Sequence, residues 1–345
     1  MVRHLQYKEL FHGSFNKLRL IKVFWHKLTY LLLLGFSTFI FATACSVGIN
    51  NHATSLLQPL KDCRLIQHVV GKTCIPKNPN RIITVSQFTL GNLLVLGLYP
   101  IAGASALTDL NGFPSYLETY TKNVVMLGNQ YQPSIEKIAL LQPDLILGWE
   151  PIRKIYPLLS QISPTALVTW KGTSSWKEHF QFLAQALGKE EEYQKAWRHY
   201  FQRIKKLKIA LNDRYKDKKI SIVSFSSSYG IISWVKSSFP GSLLNDIGLQ
   251  QPKAQDVILP RGDRIYGISE ERLQEVDGDI LFILTLRERD SKKLEQLQNK
   301  PLWKTLKAVR KGQVYTVDVL TWLGSNLLAA DAVIDDLYKY LVNKP

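Results

Sequence analysis

Arginines and large aromatics recur where a loop should open after an aliphatic run. In the first half of the chain these are Phe88, Trp149, Arg153 and Trp170; in the second they are Tyr229, Trp234, Arg261, Arg264, Tyr266, Arg287 and Trp322. A guanidinium offers a planar fork of donors that holds carboxylate-like oxygens by paired hydrogen bonds. Tryptophan and tyrosine supply rigid apolar walls. That mixture suits capture of a bulky anionic ligand with flat faces rather than bond making. Taken singly, each of these residues is better read as a solvated loop cation or a core aromatic. The expectation rests on the set.

The groups that covalent chemistry needs are not arranged for it. "GKT" at Gly71–Thr73 has Ile66 where a phosphate loop requires glycine. No G-x-S-x-G elbow occurs, and no G-x-G-x-x-G follows a strand-like run. His52, His68, His179 and His199 have no partners at metal-ligand spacing. His179 and His199 fall on helix faces, where a surface or capping role is expected. No catalytic residue, resident metal or cofactor is therefore predicted. A secreted enzyme using Glu150 or Asp263 and an envelope scaffold are the alternatives from other classes.

A second pattern is an internal echo. "SIEKIALLQPDLIL" (Ser134–Leu147) aligns without a gap on "SEERLQEVDGDILF" (Ser269–Phe282). The pairs Ser134/Ser269, Glu136/Glu271 and Asp144/Asp279 follow from that alignment. One supersecondary unit built twice implies two halves of like topology. Each copy reads as a short helix opening on a serine N-cap and then a buried strand.

The surrounding elements fit that division. Aliphatic runs such as "RIITVS", "DLILGW" and "TALVTW" alternate with amphipathic stretches, as strands and helices of an α/β sheet do. Residues 189–217 hold no Gly or Pro and place apolar residues at helical spacing. They predict one helix of about 40 Å. Strand–helix alternation resumes at Ile220. The expected domains are a lobe over 63–188, a connecting helix over 189–217 and a lobe over 218–345.

The first 45 residues stand apart from this fold. A basic stretch precedes the 14-residue apolar run Leu28–Phe41, which is short for a bilayer span, and Ala42-Thr43-Ala44-Cys45 follows. This has the shape of a signal peptide. Its Ala-Cys ending resembles a bacterial lipobox, which would make Cys45 the lipidated first residue, although Ala42 stands where leucine is usual. A cleaved signal with an incidental Cys45, or an uncleaved anchor, remain open. Residues 46–62 read as a tether. Each reading places the folded part outside the cytoplasm. In that oxidising space Cys63 and Cys74, 11 apart, are expected to pair, with two free thiols as the alternative. The net charge is +16, of which the segment before Leu28 holds +5. An exported basic protein meets anionic membranes or small anions rather than nucleic acid.

Over residues 63–341 the chain resembles the substrate-binding proteins of bacterial ABC importers for iron–siderophore complexes and cobalamin. The carriers are "NPNRIITVS", "PSIEKIALLQPDLIL", the uninterrupted helix, "GSLLNDIGLQQP", "ISEERLQEVDGDILFI", "PLWKTLKAV" and "VYTVD". "CRLIQHVVGKTCIPKNPNRI" looks like the iron–siderophore branch, ferric citrate binders included. The resemblance implies an α/β protein of two Rossmann-like lobes on a single long helix, with ligand held in the cleft between them. It implies a monomer that binds a ferric siderophore and delivers it to a permease and its ATPase. Cobalamin or haem is the alternative cargo. In the family a glutamate on each lobe meets arginines of the membrane subunits, and those positions fall on Glu136 and Glu271. Complementing helix N-terminal dipoles is the other role open to both.

Overall fold

The computed structural model describes residues 63–106, 112–226, 229–260, 262–286 and 291–343. The expected signal peptide, Cys45 and the tether lie outside the described residues, as do Arg261 and Arg287. From Asp62 onward the chain is one compact unit, and among the described residues its core begins at Ile66.

Strands β1 (Cys63–His68) and β2 (Gly71–Pro76) form an antiparallel hairpin. Cys63 and Cys74 are joined in a disulfide, with Cα atoms 5.5 Å apart. The hairpin leans on the first large sheet, where Val69 N–H donates to Leu167 O.

That sheet holds β3 (Ile82–Thr84), β4 (Ala102–Ser105), β5 (Val125–Asn129), β6 (Gln132–Pro133), β7 (Leu145–Trp149) and β8 (Thr165–Val168). Their order is β6-β5-β4-β3-β7-β8, and only the β5–β6 edge is antiparallel. β3, β4, β7 and β8 are buried throughout. Parallel strands covered on both faces read as continuous apolar runs, which is why they were legible in the sequence.

The second sheet holds β9 (Ile220–Ser226), β10 (Gly230–Trp234), β11 (Arg264–Ile268), β12 (Ile280–Thr285) and β13 (Val314–Asp318), in the order β11-β10-β9-β12-β13. Only β9, β12 and β13 are parallel; β10 runs against both neighbours. The two halves are thus not copies throughout. Three residues separate β9 from β10, and a parallel crossover needs a dozen or more.

The echo survives where its chemistry requires it. Asp144, just before β7, accepts from the N–H groups of Asn80 (2.6 Å) and Arg81 (3.0 Å) just before β3. Asp279, just before β12, accepts from Lys219 N–H (3.0 Å) just before β9. Each aspartate ties down the entry of the neighbouring parallel strand, where a free backbone donor would be costly. The helices of the two copies differ. Ile135–Leu140 is an α-helix capped by Ser134, whose Oγ accepts from Lys137 N–H. Glu270–Val276 is a 3₁₀ helix, and Ser269 instead bonds the Glu271 carboxylate.

The connecting α-helix runs from Glu190 to Leu211, 22 residues, so it spans about 33 Å. It stops short of the expected Asp217 because Asn212 adopts φ 51° and a 3₁₀ turn follows over Asn212–Tyr215. Asparagine tolerates that left-handed backbone better than most residues. The helix is no bare strut. Tyr200, Ile204, Leu207 and Leu211 belong to one continuous core that also takes Leu145 and Leu147 from the first sheet, Ile222 and Phe282 from the second, and Val333, Ile334 and Leu337 from the last long helix (Leu327–Leu337). Close approach fixes that last helix against the first half. A Cβ on Gly91 would lie 2.4 Å from the Asn326 side chain. The same asparagine caps the last helix through Ala329 N–H and donates to the Tyr116 hydroxyl (3.0 Å).

Candidate binding cleft

Three of the sequence-selected residues of the first half form one aromatic group at the C-terminal ends of β7 and β8. Phe88 stacks on Trp170 with ring centroids 4.5 Å apart and planes 14° off parallel. Trp149 meets both rings edge-on at 5.3 Å. Phe88 and Trp149 are buried, while Trp170 is half-buried and the most open of the three. Glu150 fixes Trp170 by accepting from its backbone N–H at 3.1 Å. Arg153 is exposed on the rim, 4.0 Å from the Glu150 carboxylate.

The second half brings a cation to the same region. The Arg264 guanidinium lies 4.4 Å above the Trp234 ring and 5.7 Å from Tyr266. Trp234 is buried, with its indole N–H on Ser224 Oγ at 2.9 Å. Tyr266 and Tyr229 are more than half exposed and pack together at 5.0 Å. Among the described residues, a cavity of about 590 Å³ is lined from one side by Lys171, Gly172 and Ser174 and from the other by Leu259, Asp263, Arg264 and Tyr266. The cavity therefore lies between residues of the two halves.

One buried carboxylate ties these sides together. Asp263 is 1% exposed. It accepts from Thr173 N–H (2.5 Å), from the Thr173 hydroxyl (2.6 Å) and from Arg264 Nε (2.6 Å). Thr173 Oγ1 in turn accepts from Phe239 N–H at 3.0 Å. Gly172, at φ 85°, permits the approach, since a Cβ there would meet Asp263 at 2.9 Å. Charge-assisted hydrogen bonds of this kind are shorter and stronger than neutral ones. The two carboxylates that an enzyme would have had to use, Glu150 and Asp263, are thus both engaged in holding structure.

Two placements depart from the sequence reading. Trp322 is fully buried, tilted against Phe282 with ring centroids 4.7 Å apart and its indole N–H on Asp336. It is a core residue because Asp318 caps the short Val319–Trp322 helix and turns the ring inward. His179 is buried rather than on a surface. Its Nε2 is 3.1 Å from the Thr89 hydroxyl and its ring meets Trp170 edge-on at 5.8 Å. Burial lowers its pKa to about 3, so the ring is neutral.

Sequence reasoning missed Tyr131. Its ring lies 5.1 Å from Trp149, and its hydroxyl is raised above the ordinary phenol value, by burial first, with Arg264 opposing and Tyr266 reinforcing. It therefore faces the second half from the first. Its signal was faint: it sits in the turn between β5 and β6, a short hairpin that the sequence reading did not place. Glu136 and Glu271 are both exposed. Glu271 is held below the usual carboxylate range by its bond from Ser269. Among the described residues, no three His, Cys, Asp or Glu side chains are grouped to hold a metal ion, and no helix is long and apolar enough to cross a membrane.

Residues 82–319 match the family described as Periplasmic binding protein. The chain is 31% identical over 292 residues to a probable siderophore-binding lipoprotein of Bacillus subtilis (strain 168), covering 81% of this chain and 88% of that protein. It is 29% identical over 266 residues to the achromobactin-binding periplasmic protein of Dickeya dadantii (strain 3937), covering 75% and 85%. Among solved structures, Staphylococcus aureus SirA complexed with staphyloferrin B matches with a TM-score of 0.69 at 26% identity, over 81% of this chain and 98% of that one. The chain belongs to the periplasmic binding protein family.

Proposed function

We propose that this family member captures an anionic ferric siderophore outside the cytoplasm and hands it to the permease of an ABC importer. The observation that carries the reading is the cleft itself. It takes Lys171 from one half and Arg264, backed by Trp234, from the other, and Trp170, stacked on Phe88, directly precedes Lys171 in the chain. Flat rings complement the organic shell of a chelate, and Arg264 and Lys171 complement its charge. A chelator that fills the coordination sphere of iron asks the protein for no metal ligand. The relatives' names point the same way, being those of siderophore-binding and achromobactin-binding proteins. Cobalamin or haem is the alternative cargo of the same architecture.

Within this reading Trp170, Arg264 and Tyr266, with Tyr131, form the contact surface, and the buried Phe88 and Trp149 hold the Trp170 ring from behind; Tyr229 and Arg153 sit on its rim. Cys45 would anchor the chain by its lipid, and the working unit is a monomer. Glu136 and Glu271, exposed on opposite halves, are the docking acids. Paired charges guide association and keep it reversible. The test is iron uptake in cells carrying Glu136→Arg and Glu271→Arg together. Uptake should fall by at least about tenfold while purified protein binds its chelate unchanged. Undiminished uptake would refute the docking role.

A further inference from the structure

We propose that the solvent face of the connecting helix is a docking surface for an anionic lipid bilayer. Residues 195–219 hold ten Lys and Arg and two Asp, a net +8 of the chain's +16. From Tyr193 to Asn212 there is no acid at all. Solvated helix faces usually mix the two signs. Arg203 is accounted for by Asp331 and Asp335 on the last long helix. Arg198, Lys205, Lys206 and Lys208 are exposed and make no ion pair with any described residue.

Apolar side chains stand inside this basic field. Phe201 is 53% exposed and Ile209 69%. Phe201 stacks on Trp197 at 5.7 Å and, with Arg198, Gln202 and Lys205, lines a shallow open groove. Helical spacing puts Phe201, Lys205 and Lys208 on one stripe, with Arg198 a turn before and Ile209 beside. Lys195 to Lys208 covers about 20 Å of helix. A small anion would need converging donors in a concave site, which this convex stripe does not provide. A soluble polyanion would answer the lysines but gain nothing from Phe201 and Ile209. A bilayer with acidic headgroups answers both, since basic residues meet the surface charge while apolar ones enter the interface. None of these side chains belongs to the cleft, so the surface operates independently of the ligand.

The test is sedimentation of residues 46–345, which contain the whole compact unit and lack Cys45, with vesicles of 30% phosphatidylglycerol in phosphatidylcholine at about 0.1 M salt. Partition should be saturable, absent on pure phosphatidylcholine and suppressed at 0.5 M salt. Lys205→Gln with Lys208→Gln should weaken it about 30-fold. Phe201→Ser should weaken it several-fold while leaving retention on immobilised polyphosphate unchanged. These positions are exposed, so circular dichroism and the thermal midpoint should not move. Equal binding to both vesicle types, or partition indifferent to the lysine changes, would overturn the proposal. Sensitivity to the lysines without sensitivity to Phe201 would overturn it too, in favour of a soluble polyanion.

Discussion

Replacing Asp263 by asparagine probes the tie between the two sides of the cleft. The aspartate is fully buried and accepts three short bonds, two from Thr173 and one from Arg264. Asparagine keeps one acceptor oxygen and turns the other position into a donor that faces a donor. Bonds to a charged group are worth about 1.5–3 kcal/mol each, and a buried donor left without a partner costs about 1–3 kcal/mol. Arg264 is 28% exposed, so water softens the loss of its counter-ion and that share must be discounted. The expected cost is about 2–4 kcal/mol, read as a lower urea midpoint at unchanged slope. Thr173→Val removes the hydroxyl from the other side with little change of shape. If Asp263 acts through Thr173, the double variant should cost less than the sum of the singles by about 1.5 kcal/mol or more. A loss under about 0.5 kcal/mol for Asp263→Asn, or strict additivity of the pair, would refute the tie.

Two further outcomes follow from the same physics. His179 is neutral in the folded protein, its pKa lowered to about 3, whereas the unfolded ring titrates at 6.5. Below pH 6.5 the unfolded state therefore binds the extra proton, and stability falls as pH drops from 6.5 toward 3. Between pH 7 and 5 this site should cost about 2 kcal/mol, and His179→Gln should flatten that part of the profile; parallel profiles for the two proteins would contradict it. Reducing the Cys63–Cys74 bridge should lower stability by about 2–3 kcal/mol, from the short loop it closes, and an unchanged thermal midpoint in reductant would contradict that.

Much of the scaffold was legible because its signals are periodic and local. Fully buried parallel strands must be apolar without interruption, so "DLILGW" and "TALVTW" announced themselves. The echo was legible because Asp144 and Asp279 perform one backbone task at two equivalent places. The turn of β10 against β9 was not, since nothing in "ISIVSF" or "IISWV" separates a parallel strand from an antiparallel one. In the site, aromatics after strands were found as a class, yet the same rule selected Trp322, which an aspartate cap turns into the core. What escaped was long-range. Asp263 meets Thr173, and Tyr131 meets the field of Arg264, only after both halves are packed. No spacing in the chain encodes such meetings.

The most direct measurement is tryptophan fluorescence of the purified protein titrated with a panel of anionic ferric chelates, repeated on Arg264→Ala. Trp170 is half-buried and directly precedes Lys171, which lines the cavity, so a chelate bound there should quench its emission saturably. Losing Arg264, which lines the cavity, should weaken binding at least about tenfold, in keeping with a charge-assisted contact. Quenching by none of the chelates, or quenching indifferent to Arg264, would contradict the account.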